Sequence, residues 1–383
     1  MRRTYLDFAA ATPVSKEALR AYQKALTVYG NPSSPHTEGR AAREILEDAR
    51  VRIARLASVK SDAVIFTSGA TEANALVLLG YMRSLAGDRE PSSVHCLYLP
   101  SAHVSTRGAM EILKVEGFSI EPLRLKDGTI DLVALKSQIR PETALIALEA
   151  VCGETGTVFA IRDVRRALPD GSRIRIHVDA SQLPRVGPFE LTRLGADTLS
   201  LDAQKVGGVR GTGVLIVPRS MHIAPLSIAG GQERGLRPGT ESHAGAAAFA
   251  IALEKAHETR DTFRMRAQRD REMITETLEK EIPSILFNEG KDQVPHILNI
   301  SLPTYDTDYL QALLDEAGFA VSTRSACATD AEGSEAVLAL TGDQERAAST
   351  LRISWGMETS SQDLKRLAAA LVQAVRFVDR GTV

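Results

Sequence analysis

The sequence is poor in cysteine and has no long apolar segment. Its three cysteines, Cys96, Cys152 and Cys327, are an odd number without the spacing of a metal site. We therefore expect free thiols in a reducing cytoplasm. No apolar run approaches the ~20 residues that span a bilayer, so we expect no membrane partner.

The sequence also lacks a strong charge of either sign. Its 46 Lys and Arg against 48 Asp and Glu leave a formal net charge of -2, so nothing favours direct nucleic-acid binding. The first residues lack the apolar stretch of a secretion signal. The 383 residues are 44% hydrophobic and 25% charged, which predicts a cytoplasmic globular protein large enough for two domains.

Short apolar runs alternate with amphipathic stretches through the first two thirds of the chain. Apolar residues recur at the helical period from 38 to 57, and the next apolar run, 63–66, has the length of a buried strand. Further strands are predicted at 95–99, 144–148, 174–178, 198–201 and 213–217, and helices at 73–82, 104–115 and 132–139. This alternation predicts an α/β fold with a large, doubly wound, mostly parallel sheet.

The pattern changes after about residue 244. An Ala-rich region leads into a charged helical stretch at 254–281, followed by short strands at 297–302, 319–321 and 351–354 and a last helix at 361–378. These elements indicate a smaller α+β unit. We predict a large domain at 13–250 and a small domain made of 1–12 and 251–383.

Two predicted strands end in residues that carry chemistry. The strand at 174–178 runs into Asp179, and the strand at 198–201 is followed by Lys205 and a glycine-rich segment. This pair suits pyridoxal phosphate, because a lysine amine forms a Schiff base with its aldehyde and a carboxylate keeps its ring nitrogen protonated. A buried salt bridge or a solvated loop would explain the same residues without a cofactor.

A turn of small residues at 67–71 lies between a predicted strand and a helix. Its backbone amides can approach a phosphate, and the N-terminus of the helix adds partial positive charge. The turn could equally be a simple N-cap, although its place after a strand of a parallel sheet favours a ligand.

Three other side chains are candidates for function. His103 follows the strand at 95–99 and could stack on a flat ring, although a lone histidine there is more often structural. Arg352 lies on a predicted core strand, where it would bind a substrate carboxylate or belong to a buried ion pair. Cys327 lies in a small, polar stretch at 322–334 that predicts an exposed loop, whereas Cys96 falls in a strand. Cys327 is therefore the candidate nucleophile.

Together these residues resemble the cysteine desulfurases, class V members of the fold-type I enzymes that use pyridoxal phosphate. The resemblance runs along nearly the whole chain, over the ordered segments 5–13, 30–36, 66–72, 177–182, 230–240, 325–327 and 352–354. The segment 230–240, which reads GGQERGLRPGT, is highly specific. The resemblance implies a large sheet domain that binds the cofactor and a smaller α+β domain that carries the catalytic cysteine.

The resemblance also implies a role for each site residue. The catalytic residues would be Lys205, which binds the cofactor, His103, which stacks on its ring, and Cys327, which takes the sulfur as a persulfide. Asp179 would bind the ring nitrogen and Gln182 the ring oxygen. Ala70, Thr71 and Gln204 would lie at the cofactor, with Thr71 on its phosphate, assisted by Thr240 from the other subunit of a homodimer. Arg352 and Gly153 would contact the substrate, and no metal is implied.

Three departures from the family pattern concern this site. Gln204 stands where the family usually has histidine, and Asp202 where it usually has a serine that bonds the phosphate. A carboxylate repels a phosphate dianion, so Asp202 must turn away, be compensated by a cation such as Arg210, or weaken cofactor binding. The segment 152–154, Cys-Gly-Glu, replaces Asn-Asn-Glu, which removes an amide near the ring and could place Cys152 close to the site.

We expect a homodimeric enzyme that converts L-cysteine to L-alanine and passes persulfide sulfur to an acceptor protein of an iron–sulfur or thio-modification pathway. The stretch from Cys327 to Leu338 resembles the longer loop of the group that delivers sulfur directly to such partners. We expect the protein to lack part of the C-terminal tail with which some relatives dock a scaffold. Two alternatives remain: a lyase of altered amino-acid specificity, and a partner-activated or non-catalytic subunit of a sulfur-transfer complex.

Overall fold

The computed structural model describes residues 3–323 and 333–381. Its helices are α1 (Lys16–Leu26), α2 (Thr37–Leu56), α3 (Ala70–Ala86), α4 (Val104–Val115), α5 (Leu132–Gln138), α6 (Ile161–Ala167), α7 (Leu191–Leu194), α8 (His243–Glu281), α9 (Thr307–Glu316), α10 (Glu335–Thr341), α11 (Gln344–Ala348) and α12 (Ser361–Gly381). Its strands are β1 (Thr4–Tyr5), β2 (Val64–Thr67), β3 (His95–Tyr98), β4 (Ser119–Pro122), β5 (Leu125–Lys126), β6 (Thr129–Ile130), β7 (Thr143–Glu149), β8 (Arg175–Asp179), β9 (Thr198–Asp202), β10 (Gly213–Ile216), β11 (Leu286–Phe287), β12 (Ile297–Ser301), β13 (Phe319–Ala320) and β14 (Thr350–Ser354). Within the described residues, no helix combines the length and apolarity needed to cross a bilayer.

Seven strands form the central sheet, in the order β2-β10-β9-β8-β7-β3-β4. β10 is antiparallel to both of its neighbours, and the other neighbouring pairs are parallel. The predicted α/β fold with a large, mostly parallel sheet is confirmed.

Both faces of this sheet are buried. Along β7, Leu145 and Ala147 pack into the core that contains residues of α3 and α4, whereas Ile146 and Leu148 pack into the core on the other face, with residues of α2 and α8. All four side chains are fully buried. Burial on two sides explains why such strands are continuous apolar runs in the sequence.

The strand register brings several polar residues to one edge of the sheet. Glu149 pairs with Asp179 across β7 and β8, and Asp179 pairs with Ser200 across β8 and β9. On the other side of β9, Asp202 pairs with Gly213, which pairs with Thr67 at the end of β2. The N-terminus of α3, which follows β2, therefore lies at the same edge as the ends of β8 and β9.

A smaller set of strands lies after residue 281. β11, β12 and β14 form an antiparallel sheet, and β13 pairs in parallel with β1 from the start of the chain. α8 is one continuous helix of 39 residues, whose Ala-rich beginning is capped by Ser242, which accepts a hydrogen bond from the Gly245 amide at 3.2 Å. The predicted domain boundary at 250/251 falls inside this helix, and the division into two domains stays a prediction.

Candidate active site

Several of the candidate residues collect at the edge where β7, β8 and β9 end. Asp179 is the last residue of β8, and Lys205 ends the short 3-10 turn Ala203–Lys205 that follows β9. His103 caps α4, and Thr71 lies in the first turn of α3. Parallel strands that end on one edge bring together side chains that are far apart in the sequence.

Asp179 is a buried carboxylate with 8% of its surface exposed. Its Oδ1 accepts a hydrogen bond from the Ser181 amide at 3.0 Å, and its Oδ2 accepts one from Asn74 Nδ2 at 2.8 Å. These bonds hold the carboxylate in one orientation. A fixed, buried acceptor of this kind suits a cationic partner such as a protonated ring nitrogen.

Asn74 connects Asp179 to a buried polar network that was not predicted from the sequence. Its Nδ2 also donates to Ser105 Oγ at 2.9 Å. Its Oδ1 lies 2.9 Å from His177 Nε2 and accepts a hydrogen bond from Ser200 Oγ. All the hydrogen-bonding capacity of the amide is used. The sequence feature that could have indicated this role is an asparagine among the apolar residues of α3.

Glu149 is a second buried carboxyl group beside Asp179. It ends β7 and is 3% exposed, and its Oε1 has no hydrogen-bond partner among the described residues. Burial and then the charge of Asp179 raise the pKa of Glu149 well above its usual range, which favours the neutral acid. Glu149 also ends a strand, so the criterion that singled out Asp179 in the sequence would have singled out Glu149 as well.

Lys205 and Gln182 both contact the N-terminal segment. Lys205 Nζ donates to the carbonyl oxygens of Ala9 at 2.7 Å and Ala10 at 2.8 Å. Gln182 Nε2 donates to the same Ala9 oxygen at 2.8 Å. The short segment before α1 therefore positions two residues that were assigned to the cofactor.

His103 is held by the start of α4. Its Nδ1 accepts a hydrogen bond from the Ser105 amide at 3.2 Å and lies 2.9 Å from Ser105 Oγ. Burial is the main cause that lowers the pKa of His103, while the charge of Asp179 opposes this shift and that of Lys205 adds to it. The ring is therefore neutral near pH 7 and fixed in orientation, which fits the predicted stacking on a flat ring.

Asp202 faces the N-terminus of α3. Its Oδ2 accepts a hydrogen bond from the Ala70 amide at 3.1 Å, and its Oδ1 accepts one from the Gln204 amide at 3.0 Å. A Cβ on Gly69 would lie 3.1 Å from Oδ2, so the glycine gives the carboxylate room. The carboxylate therefore does not turn away from this helix. Arg210 is exposed, and the cation that acts on Asp202 is Lys205.

Arg352 on β14 connects three parts of the site. Its Nη2 pairs with Asp7 Oδ1 at 2.7 Å, and its Nη1 donates to the Gly153 carbonyl at 3.0 Å. Its backbone exchanges two hydrogen bonds with Ser322, at 2.6 and 3.1 Å. The structure contains the ion pair that was considered for Arg352, and the contact of Arg352 with a substrate stays a prediction.

Cys327, the predicted nucleophile, lies outside the described residues.

Cys152 lies near this site, as the sequence suggested. It is 1% exposed, and its Sγ is 4.0 Å from the Ser101 carbonyl oxygen. Burial and the neighbouring Glu149 raise the pKa of Cys152 well above its usual range, so it is a poor nucleophile. Gly153 is tight against Gln182, because a Cβ there would lie 3.2 Å from Gln182 Nε2.

Thr240 contacts a different part of the chain. It is exposed, and Asn31 Nδ2 donates to its Oγ1 at 3.4 Å. Its assignment to the site of a partner subunit stays a prediction.

The residues at this edge fit pyridoxal phosphate. They offer an amine in Lys205, a buried carboxylate in Asp179, a neutral ring in His103 and backbone amides at the start of α3. The exception is Asp202, whose carboxylate already bonds one of those amides.

Comparisons with known proteins agree with this fit. The model of the family Aminotransferase class-V matches residues 4–367, so the chain belongs to that family, whose members use pyridoxal phosphate. Within it, the chain is similar to "Cysteine desulfurase IscS 1" of Archaeoglobus fulgidus, with 30% identity over 96% of this chain and 95% of that protein.

Two further matches cover nearly the same length. The chain is 32% identical to "Cysteine desulfurase IscS" of Dictyoglomus turgidum, over 95% of this chain and 92% of that protein. A solved structure described as a NifS-like protein superposes with a TM-score of 0.90 at 27% identity, over 98% of this chain and 100% of that one. The predicted resemblance to the cysteine desulfurases is confirmed, and the chain is a pyridoxal phosphate-dependent enzyme.

Proposed function

We propose that this enzyme is a cysteine desulfurase that converts L-cysteine to L-alanine and leaves the sulfur as a persulfide on Cys327. The observation that carries the proposal is the convergence of Lys205, Asp179 and His103 at one sheet edge. The named relatives support it, because they are named cysteine desulfurases and match this chain over nearly their whole length. They do not favour the alternatives of a non-catalytic subunit or a lyase of other specificity.

When bound, the cofactor would supply an aldehyde for the substrate amine and a ring that withdraws electrons. Asp179 would keep the proton on the ring nitrogen, and His103 would cover the ring. Lys205 moves the proton at the substrate α-carbon. Gln182 would bond the ring oxygen, and Ala70, Thr71 and Gln204 would hold the cofactor and its phosphate.

Arg352 binds the substrate carboxylate in this proposal, beside the Gly153 carbonyl. Its guanidinium already pairs with Asp7, so the substrate carboxylate either shares the guanidinium or replaces Asp7. The Cys327 thiolate then attacks the substrate sulfur. An S–S bond forms, the C–S bond breaks, and the carbon takes up a proton, so that L-cysteine and a thiol give L-alanine and a persulfide.

The functional unit in this proposal is a cytoplasmic homodimer that hands its persulfide to an acceptor protein. The segment before Thr240 carries an apolar side chain, Ile228, that is 95% exposed, as an interface residue would be in one isolated chain. Ile228→Asp should shift the mass in solution from dimer to monomer. Val133→Asp, at another exposed apolar residue on α5 that is 83% exposed, should not. A monomeric wild-type protein would contradict the dimer.

The reaction is tested by measuring alanine and sulfide together after adding L-cysteine and a reductant. We expect equal amounts from the wild type and a loss of at least about a hundredfold in Cys327→Ala, with the cofactor absorbance retained. Cys96→Ala, which changes a buried thiol of β3, is the matched control and should keep its turnover. Full turnover by Cys327→Ala would refute the assignment.

A further inference from the structure

Asp202 lies at the N-terminus of α3, where the cofactor phosphate would accept hydrogen bonds from backbone amides. Its Oδ2 lies 3.1 Å from the Ala70 amide, and the side chain is 9% exposed. Gly213 pairs with Asp202 and packs tightly on Gly69, since a Cβ on Gly213 would be 2.5 Å from the Gly69 Cα. The carboxylate is held in this orientation by the hydrogen bonds that it accepts from the Ala70 and Gln204 amides.

The charges around Asp202 do not offset a phosphate dianion. Two titratable groups act on it, the cation of Lys205 on the turn and the anion of Asp179 on β8. α3 and β10 face it with backbone atoms of Gly69, Ala70 and Gly213. A phosphate ester carries nearly two negative charges at neutral pH, since its second pKa is about 6. Bringing it to these amides would place it beside an ionised carboxylate in a poorly screened site.

We propose that Asp202 takes up one proton from solvent when the phosphate binds and then donates a hydrogen bond to a phosphate oxygen. The neutral acid would thereby do what the serine usual in the related family does at this position. The inference rests on the proposed cofactor site and adds Asp202 to the residues that bind the phosphate there. The proton goes to the carboxylate, the phosphate stays a dianion, and no other bond changes.

The surroundings of the carboxyl group support this assignment. Burial is the main cause that raises the pKa of Asp202, against the lowering effect of the Ala70 and Gln204 amides and of Lys205. A phosphate dianion would raise the pKa further. Binding coupled to one proton weakens about tenfold per pH unit once the pH exceeds the pKa of the free site.

The test is calorimetric titration of the cofactor-free, full-length protein with pyridoxamine 5'-phosphate, which has no aldehyde and so cannot bond covalently to Lys205. Titrations in buffers of different ionisation enthalpy, from pH 6.5 to 8.5, give the number of protons taken up. We expect the wild type to take up close to one proton more than Asp202→Asn, and its affinity to fall more steeply with pH. Asp202→Ser should bind at least about tenfold more tightly than the wild type at pH 8.5.

A matched control and a second measurement complete the test. Glu111→Gln removes an exposed carboxylate of α4 that bonds Lys114, and it should titrate like the wild type. The ³¹P signal of the bound ligand should stay at its dianion position across the pH range. Equal proton uptake in the wild type and Asp202→Asn, or a bound monoanion, would overturn the inference alone. Failure of the wild type to bind the ligand at any pH would overturn the proposed site as well.

Discussion

Glu149 and Asp179 are paired residues on neighbouring parallel strands, so that two buried carboxyl groups end side by side at one edge of the sheet. They have different surroundings. Asp179 accepts hydrogen bonds from Ser181 and Asn74, whereas Glu149 Oε1 has no partner among the described residues. One carboxyl group is therefore held as an acceptor, and the other is favoured as a neutral acid.

Glu149→Gln should stabilise the protein above acidic pH. The pKa of Glu149 is raised in the folded state, so folding requires a proton that the unfolded chain releases above about pH 4.3. The stability that this proton gives is complete below that pH and is lost as the pH rises towards the folded pKa. The free energy of unfolding of the variant should exceed that of the wild type at pH 8 and be close to it at pH 4, as measured by urea unfolding. A difference that does not change with pH would contradict the neutral acid.

His177 has the opposite dependence on pH. Burial lowers its pKa from 6.5 to about 4, so the unfolded chain binds a proton that the folded one does not. The contribution of His177 to stability is present above pH 6.5 and is lost as the pH falls through about 4. This loss amounts to about 3 kcal/mol.

Replacing His177 by Gln, which keeps an amide to face Asn74, should therefore flatten this part of the stability curve. Unfolding in urea at pH 7, 6, 5 and 4 measures it. The exposed His222 provides the control, because His222→Gln should leave the curve unchanged. Parallel curves for His177→Gln and the wild type would show that folding does not lower the pKa of His177.

Much of the sheet could be predicted, because its strands are buried on both faces and appear as apolar runs. β7, β8 and β9 begin and end within one residue of their predicted bounds, and α4 has its predicted bounds. α1 was not predicted, although its apolar residues recur at the helical period; only Ala18 and Ala25 of this helix are buried. The antiparallel direction of β10 follows from the short connection after β9, which leaves no room for a helical crossover.

The site was predictable where a residue ends a strand or starts a helix, as for Asp179, Lys205 and His103. Contacts made through the tertiary fold were not. Arg352 and Asp7 are 345 positions apart, and nothing local in either segment indicates the pairing. Asn74 has its role only because α3 packs on β8 and β9, which no sequence period encodes.

The pair of Arg352 and Asp7 allows the proposed carboxylate site to be tested. Arg352→Lys should raise KM for L-cysteine about 10- to 100-fold, because a lysine cannot bind a carboxylate through two parallel hydrogen bonds. Asp7→Asn should lower KM a few-fold, because it removes the anion that competes for the guanidinium. Steady-state kinetics at one pH measure both. Unchanged KM values, with an equal loss of stability in the two variants, would assign the pair to structure alone.

Another ion pair, which is buried, gives a prediction about stability. Arg50 donates to both carboxylate oxygens of Glu233, at 2.8 and 2.6 Å, and the Phe66 amide donates to the same carboxylate at 2.7 Å. The side chains are 10% and 1% exposed. Glu233→Gln leaves the Arg50 charge buried and turns an amide donor towards its guanidinium.

We expect Glu233→Gln to lower the free energy of unfolding by about 3–5 kcal/mol, because a buried charge that loses its partner is costly. Glu47 contacts the same arginine from the surface, with 51% of its side chain exposed, so Glu47→Gln should cost no more than about 1 kcal/mol. Urea unfolding of both variants at one pH gives the comparison. Similar losses would mean that solvent reaches Arg50 and screens its charge, and that the buried pair contributes no more than a surface one.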